Sequence, residues 1–386
     1  MKTRLLYPLL IIALLSACSN PTPTPVVVPT PQTTELVVPT VIVEPIPQEK
    51  AATSGLTEAV PPSATMEPVP QEPEVIAENL NFPWELAFLP DGGILVTERP
   101  GSLMLLEGNG ERIPVEGIRH IGEGGLLGMA LHPGFASNGW IYLYLTSTQG
   151  LNIVNRVERY VYKNHTLSER VLILEGIRGA AIHDGGRIKF GPDGMLYITT
   201  GDAGVTSLSQ DLSSLNGKIL RVEDDGSIPA DNPFGTAVWS YGHRNPQGLA
   251  WDSLGRLWAT EHGPSGAESG QDEVNLIKKG QNYGWPVIRG AEVQEGMVNA
   301  VIESGTRDTW APSGAVIVND VLYYVGLRSQ GLYKVPLEGM SLEKLEVLYK
   351  GEYGRLRNVV LGADGRLYLM TSNGNDADKV IAVPVP

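Results

Sequence analysis

Cysteine is almost missing from this chain: one residue, Cys18, in 386, so no intrachain disulfide can brace the fold. Positive charge is scarce as well. Lys and Arg number 29 against 43 Asp and Glu, a formal charge of -14, which excludes the broad basic face that a nucleic-acid partner requires. A few local arginines can still hold a small anion. There is no G-x-y period and no sustained heptad, so collagen and coiled-coil architectures are ruled out. Helix signal is nearly absent; the best candidate, VNLIKKG at 274–280, is too short to set the fold class.

The chain starts with MKTRLLYPLLIIALLSAC, in which Lys2 and Arg4 precede an apolar run from Leu5 to Leu15. That run is too short to span a bilayer and reads as a signal peptide over residues 1–17. Leu15-Ser16-Ala17-Cys18 resembles the lipobox of bacterial lipoproteins, which implies acylation of the Cys18 thiol and a lipid-anchored place in the cell envelope. The anchored protein is expected on the periplasmic or extracellular face of a membrane, touching it through the lipid alone. Residues 18–74 form the expected tether: between Ser19 and Glu74 there are thirteen prolines, one glycine and no Phe, Trp or Tyr. Such a composition cannot build a core and favours a disordered, partly polyproline II spacer.

From Val75 to Pro386 the character changes, and this stretch holds all seven tryptophans. One phrase keeps returning: FLPDGGILVTER at 88–99, LHPGFASNGWIYLYLTS at 131–147, FGPDGMLYITTGD at 190–202, WDSLGRLWATEHG at 251–263, VNDVLYYVG at 318–326 and LGADGRLYLMTSNG at 361–374. Each is an apolar strand, a turn bearing Asp, Asn or Gly, and a second alternating strand. Six units of roughly 52 residues leave room for four strands apiece. A hairpin of this size cannot bury both faces alone, so the units must stack on one another. The unequal spacing favours a closed ring over a solenoid: an all-β fold, a six-bladed β-propeller of four-stranded antiparallel blades over residues 75–386.

Sites in such a ring assemble where strand ends from different blades meet. His183, in AAIHDGGRIKF, sits in a glycine-rich connection ahead of a strand and suits a general base, although taken by itself the signal is weak and favours a surface or turn-stabilising role. YGHRNPQG at 241–248 packs Arg244, Asn245 and Gln247 into a few positions between apolar strands, more polar chemistry than a solvated turn needs. In EHGPSGAESGQDEVN, Glu261, Glu268, Asp272 and Glu273 offer hard oxygen ligands and Gly263 leaves its carbonyl free, which suits calcium or a solvated acidic loop. NYGWP reads as structural, with Trp285 closing a blade core. Arg355 and Arg357 alternate around Leu356 and share one face of a strand; directed inward, they require an anion between them.

Taken together, PWELAFLPDGGILVTERPGSL, EGGLLGMALHPGF, the His183 phrase, NGKILRV, YGHRNPQGLAW, EHGP, NLIKKGQNYGWP and GRLRNVVLGADGRLY resemble, in order, the soluble quinoprotein glucose/sorbosone (aldose sugar) dehydrogenases. The resemblance runs from about Leu80 to Ala382. It implies a six-bladed propeller carrying pyrroloquinoline quinone (PQQ) and calcium. It also implies oxidation of an aldose at C1 to the lactone, with hydride passing to the quinone and electrons going on to an external acceptor. Residue by residue, it implies that His183 is the base and that Arg244 stabilises charge on the quinone. Arg244, Asn245, Gln247, Arg328, Arg355 and Arg357 would contact the cofactor, and Gly263 and Pro264 would bind calcium through their carbonyls. Arg328 falls where glucose-oxidising relatives carry lysine. Glu123 stands where some relatives have glutamine near the sugar and is expected at the substrate mouth. Two alternatives share the architecture: a calcium-dependent propeller lactonase, and a non-catalytic surface propeller binding glycan or protein. The oligomeric state stays open, with a monomer favoured.

Overall fold

The alternating apolar segments form short strands, and the strands collect into six antiparallel sheets of four. The computed structural model describes residues 72–386 apart from 109, 267, 268 and 375. The expected signal peptide, Cys18 and all of the expected tether up to residue 71 lie outside the described residues. Five blades follow in chain order, over residues 83–114, 126–178, 188–241, 246–303 and 312–348. The sixth takes three strands from residues 356–384, and its outermost strand is the early segment Glu74–Leu80, paired antiparallel with Asp378–Pro384. First strands of successive blades lie side by side, and that of the sixth returns to that of the first. The result is the expected six-bladed β-propeller. Its ring is closed by ladder hydrogen bonds between the two ends of the body, which leaves no exposed seam.

Both faces of each sheet are covered by neighbouring blades, which is why apolar residues occupy so many consecutive strand positions. Between the second and third blades, Tyr144, Val157, Ile188, Ile198, Leu220 and Val238 are completely buried. Between the first and second, Leu95, Leu103, Leu126, Leu143 and Leu145 are equally so. Each such side chain contributes about 1.5–3 kcal/mol by leaving water. The first strands approach closely at the centre. A Cβ on Gly248 would lie 2.4 Å from the carbonyl oxygen of Ser313 in the next blade, so only glycine fits there.

One local expectation is overturned. VNLIKKG is no helix: Glu273–Ile277 is the third strand of the fourth blade, paired along its length with Leu257–Glu261. Five residues are too few to nucleate a helix, and the adjacent strand offers every backbone group a ladder partner.

The topology decides where a site can form. Each first strand starts at one end of the ring and leads, at the other end, into the repeated Asp/Asn/Gly turn. Residues just before a first strand and just after a second strand therefore gather at one end: Phe82 and Arg99, Glu123, His183 and Asp202, Arg244 and Gly263, Ala311 and Arg328, Arg355 and Asn373.

Candidate active site

A cavity of about 680 Å³ opens at this end of the ring. Glu123, Gln247, Pro264, Arg328, Arg355 and Arg357 line it. His183 and Arg244 border it: the His183 N–H donates to Glu123 Oε2 on the wall (2.9 Å), and Arg244 Nη2 donates to the lining Ser265 (3.0 Å). Asn245 is fully buried behind them, its Oδ1 accepting the Gly185 N–H (3.0 Å) while its Nδ2 has no partner among the described residues. Gly263 is buried next to Pro264. Arg355 precedes its strand, Leu356–Leu361, rather than sharing it with Arg357, but both side chains reach the cavity.

The wall of this cavity is cationic. Arg99, Arg328, Arg355 and Arg357 line it, and among the described residues Glu123 is the one carboxylate in its lining. Arg357 Nη1 donates to Gln247 Oε1 (2.7 Å), and its buried Nε has no partner among the described residues. Burial pushes the guanidinium groups of Arg99, Arg355 and Arg357 below their ordinary value; for each, a neighbouring arginine adds to the fall and Glu123 opposes it. His262, on the same wall, is driven well below the usual histidine value by burial and then by Arg244 and Arg357, so it is neutral and adds no charge. Other arginines of this protein are neutralised: Arg221 by Asp193 and Asp231, Arg366 by Asp364 and Glu74, and the fully buried Arg187 by Glu85.

That last pair also supports the wall. Arg187 Nε donates to the Gln247 carbonyl oxygen (2.8 Å), and Gln247 in turn holds Arg357. Glu85 also accepts from Asn358 Nδ2 (2.5 Å). Four blades thus fix the rotamer of one cavity arginine through a single buried network.

His183 adopts a left-handed backbone conformation, φ 57°, which costs of order 1–3 kcal/mol for a residue other than glycine. The Glu123 bond to its N–H and the Ala203 N–H bond to its carbonyl (3.2 Å) hold it there. Its ring Nδ1 lies 2.7 Å from Asp202 Oδ1. Asp202 also accepts from Gly204 N (2.8 Å) and Trp285 Nε1 (2.9 Å). Burial raises the Asp202 carboxyl, but these donors, His183 foremost, outweigh burial and leave it below the usual range. An ionised Asp202 can only accept, so Nδ1 carries a proton, and in the neutral tautomer this selects Nε2 holds the lone pair. The side chain of His183 keeps 12% of its surface exposed, and the imidazole is thus oriented as a base.

Arg244 is placed by Glu261, which accepts its backbone N–H and, through Oε2, the ring Nδ1 of buried His243 (2.8 Å). Its guanidinium sits 5.4 Å from the Trp285 ring centroid, and its buried Nε has no partner among the described residues. Trp285 therefore belongs to the site, contrary to its reading as a blade-core residue, because the turn after the strand of Glu273–Ile277 carries it under Arg244 and onto Asp202.

The acidic loop also reads differently in three dimensions. Asp272 accepts from the backbone N–H groups of Gly263 (2.8 Å), Trp310 (2.6 Å) and Ala311 (3.0 Å). Glu273 accepts from Asn275 Nδ2 (3.0 Å) and Gly290 N (3.1 Å), and burial with the adjacent Glu261 pushes it up to about 8. Glu261 is engaged as above, and Glu268 lies outside the described residues. Among the described residues, no group of three or more His, Cys, Asp or Glu side chains could hold a metal, so a cation here would rely on main-chain oxygens. Gly263 suits this: a Cβ would lie 2.2 and 2.3 Å from the carbonyl oxygens of Gly270 and Gln271. Calcium accepts such carbonyls.

Sequence reasoning did not single out Asp202, Arg99, Glu85 or Arg187. Asp202 and Arg99 end the repeated phrases TTGD and VTER, and that shared position was a usable signal. Glu85 and Arg187 gave none, since only ring closure brings them together.

The sequence model of the glucose / sorbosone dehydrogenase family matches residues 80–381. The aldose sugar dehydrogenase YliI of Escherichia coli (strain K12) is 32% identical over 78% of this chain and 90% of its own length. An uncharacterised Synechocystis protein is 34% identical over 78% of this chain and 84% of its own length. Among solved structures, the PQQ-bound aldose sugar dehydrogenase of Streptomyces coelicolor is 39% identical, with a TM-score of 0.74 over 82% of this chain and 99% of its own.

Proposed function

The chain belongs to the glucose/sorbosone dehydrogenase family, and from that premise we propose that it oxidises aldoses at C1 to the lactone with PQQ and calcium, passing the electrons to an external acceptor. One observation carries the reading: among the described residues, four guanidinium groups face a single cavity with one carboxylate beside them. Unpaired charges in a shielded wall are costly unless an anion meets them, and PQQ, with three carboxylates, is such an anion. The orphaned Nε atoms of Arg357 and Arg244 and the Nδ2 of Asn245 are further donors awaiting acceptors.

Arg328, Arg355 and Arg357 would hold the carboxylates, Gln247 would steady Arg357, and the Gly263 and Pro264 carbonyls would hold calcium. When bound, PQQ would accept the hydride leaving C1 and calcium would polarise it as a Lewis acid. His183 Nε2 would take the anomeric hydroxyl proton, and Asp202 would stabilise the imidazolium that results. Arg244, fixed by Glu261 and Ser265, would offer positive charge where negative charge develops. Glu123 holds His183 by its backbone and stands at the cavity wall, where its carboxylate would also meet the sugar. The lactonase alternative needs a carboxylate ring around calcium, for which the described residues supply no cluster.

The reading extends to an acylated Cys18, a Pro-rich tether over 18–74 and a propeller body from Val75, tethered at the periplasmic or extracellular face of a membrane. The catalytic proposal is tested by adding calcium and PQQ to the purified apo-protein. A bound-quinone absorption spectrum that aldose bleaches is expected. Absence of a bound spectrum at saturating PQQ would overturn it.

A further inference from the structure

We propose that Arg99 is a fourth cationic arm of the anion cradle, engaging a cofactor carboxylate together with Arg357 from the adjoining blade. This rests on the PQQ reading above but assigns a residue that neither the repeat nor the family resemblance placed there.

Arg99 follows the second strand of the first blade, Ile94–Glu98, and the first blade adjoins the sixth, which carries Arg355 and Arg357. It is only 9% exposed and lines the cavity. Its hydrogen bonds all go to carbonyl oxygens, from Nη1 to Gly122 (3.1 Å) and Glu123 (3.3 Å). Its guanidinium carbon stands 4.6 Å from the Phe82 ring centroid, and its buried Nε has no acceptor among the described residues. A cation fixed by carbonyls and an aromatic face, with a donor left over, is a built anion contact rather than one half of a structural ion pair.

The charges of the wall agree. Among the described side chains that line the cavity, Arg99 adds a fourth positive charge to those of Arg328, Arg355 and Arg357, against the single carboxylate of Glu123. Arg99 also raises the cost of charge on Arg357, and Arg355 raises it on Arg99, until an anion lies among them. Arg99 thus offsets Glu123, whose carboxylate is retained because it holds the His183 backbone.

The test is PQQ binding to full-length apo-protein in calcium buffer, followed by titration calorimetry and by quenching of tryptophan fluorescence, with no substrate present. Arg99→Met keeps the stem on Phe82 and removes the charge; it is expected to raise Kd about 10- to 100-fold, as for loss of a charge-assisted contact, and to flatten the salt dependence. Arg99→Lys should fall between Arg99→Met and wild type. Glu123→Gln should tighten binding and, combined with Arg99→Met, restore much of the lost affinity. Wild-type binding with Arg357→Ala weakened but Arg99→Met within twofold of wild type would overturn this proposal alone. Weak binding in Arg99→Met that Glu123→Gln does not recover would assign Arg99 to holding the Gly122–Glu123 turn, and also overturn it. Failure of the wild-type protein to bind PQQ would overturn the cofactor reading and this inference together.

Discussion

The His183–Asp202 pair makes the most exacting prediction, because the geometry sets limits on what Asp202→Asn can do. Asp202 Oδ1 accepts from both His183 Nδ1 and Gly204 N, and Oδ2 accepts from Trp285 Nε1. An amide offers one oxygen and one NH2 group. If its oxygen stays on the His183 side, the imidazole keeps its tautomer, but the NH2 meets the Trp285 N–H and the carboxylate charge is lost. A hydrogen bond to a charged group is worth about 1.5–3 kcal/mol, so sugar-driven reduction should slow about 10- to 160-fold. If the amide turns over, its NH2 faces Nδ1, the proton is forced to Nε2, and the base is abolished; the loss then approaches the ~10⁴-fold limit of general-base effects. His183→Gln, with no base in either orientation, should lose at least about 100-fold. The assay is rapid mixing of the PQQ-loaded enzyme with aldose, following bleaching of bound quinone rather than dye turnover, so that acceptor re-oxidation does not limit the signal. Deuterium at C1 should slow the same phase in wild type. Reduction within threefold of wild type in either variant, with PQQ fully bound, would remove the pair from the chemistry.

Gly263→Ala must push a methyl against the Gly270 and Gln271 carbonyls, 2.2 and 2.3 Å away, so both the melting temperature and the calcium-dependent gain in PQQ affinity should fall; an unchanged calcium titration would refute main-chain coordination at this turn. Asp184, beside the base, is pushed up to about 7 by burial, against its bonds from Asn155 and Ala180. Its folded form therefore binds more protons than the unfolded chain between 3.8 and about 7, and stability from this group falls as pH rises through that window. Asp184→Asn should remove that fall, narrowing the gap between melting temperatures at pH 5 and pH 8; an unchanged gap would refute it. Cys18→Ser should abolish incorporation of labelled palmitate, and equal labelling of the mutant and wild type would eliminate the anchor.

The blades were legible in the sequence because their signal is local. A turn bearing Asp, Asn or Gly between two apolar runs is fixed by residues adjacent in the chain, and its six returns, together with the size of the stretch that holds them, gave both blade number and strand count. The same reasoning failed at VNLIKKG, where seven residues carry no periodicity able to separate strand from helix and the partner strand decided. Individual polar residues at the strand ends were also visible: Arg244, Arg355 and Arg357 stood out by type and spacing, and the family resemblance supplied roles that spacing could not.

What the chain alone could not reveal was partnership across the ring. That Asp202 orients His183, that Trp285 leaves the blade core to donate to Asp202, and that Glu85, Arg187 and Gln247 fix Arg357 all depend on side chains up to 273 residues apart. The acidic loop shows the limit most plainly: Asp272 and Glu273 were open to reading as ligands until folding brought backbone N–H groups to them. Composition and local pattern determine the strands and their number, since backbone ladders and alternating burial act over a few residues. Only ring closure decides which charges are neutralised and which are left facing a cavity, because electrostatic pairing in a shielded interior depends on distance in space and not on order in the chain.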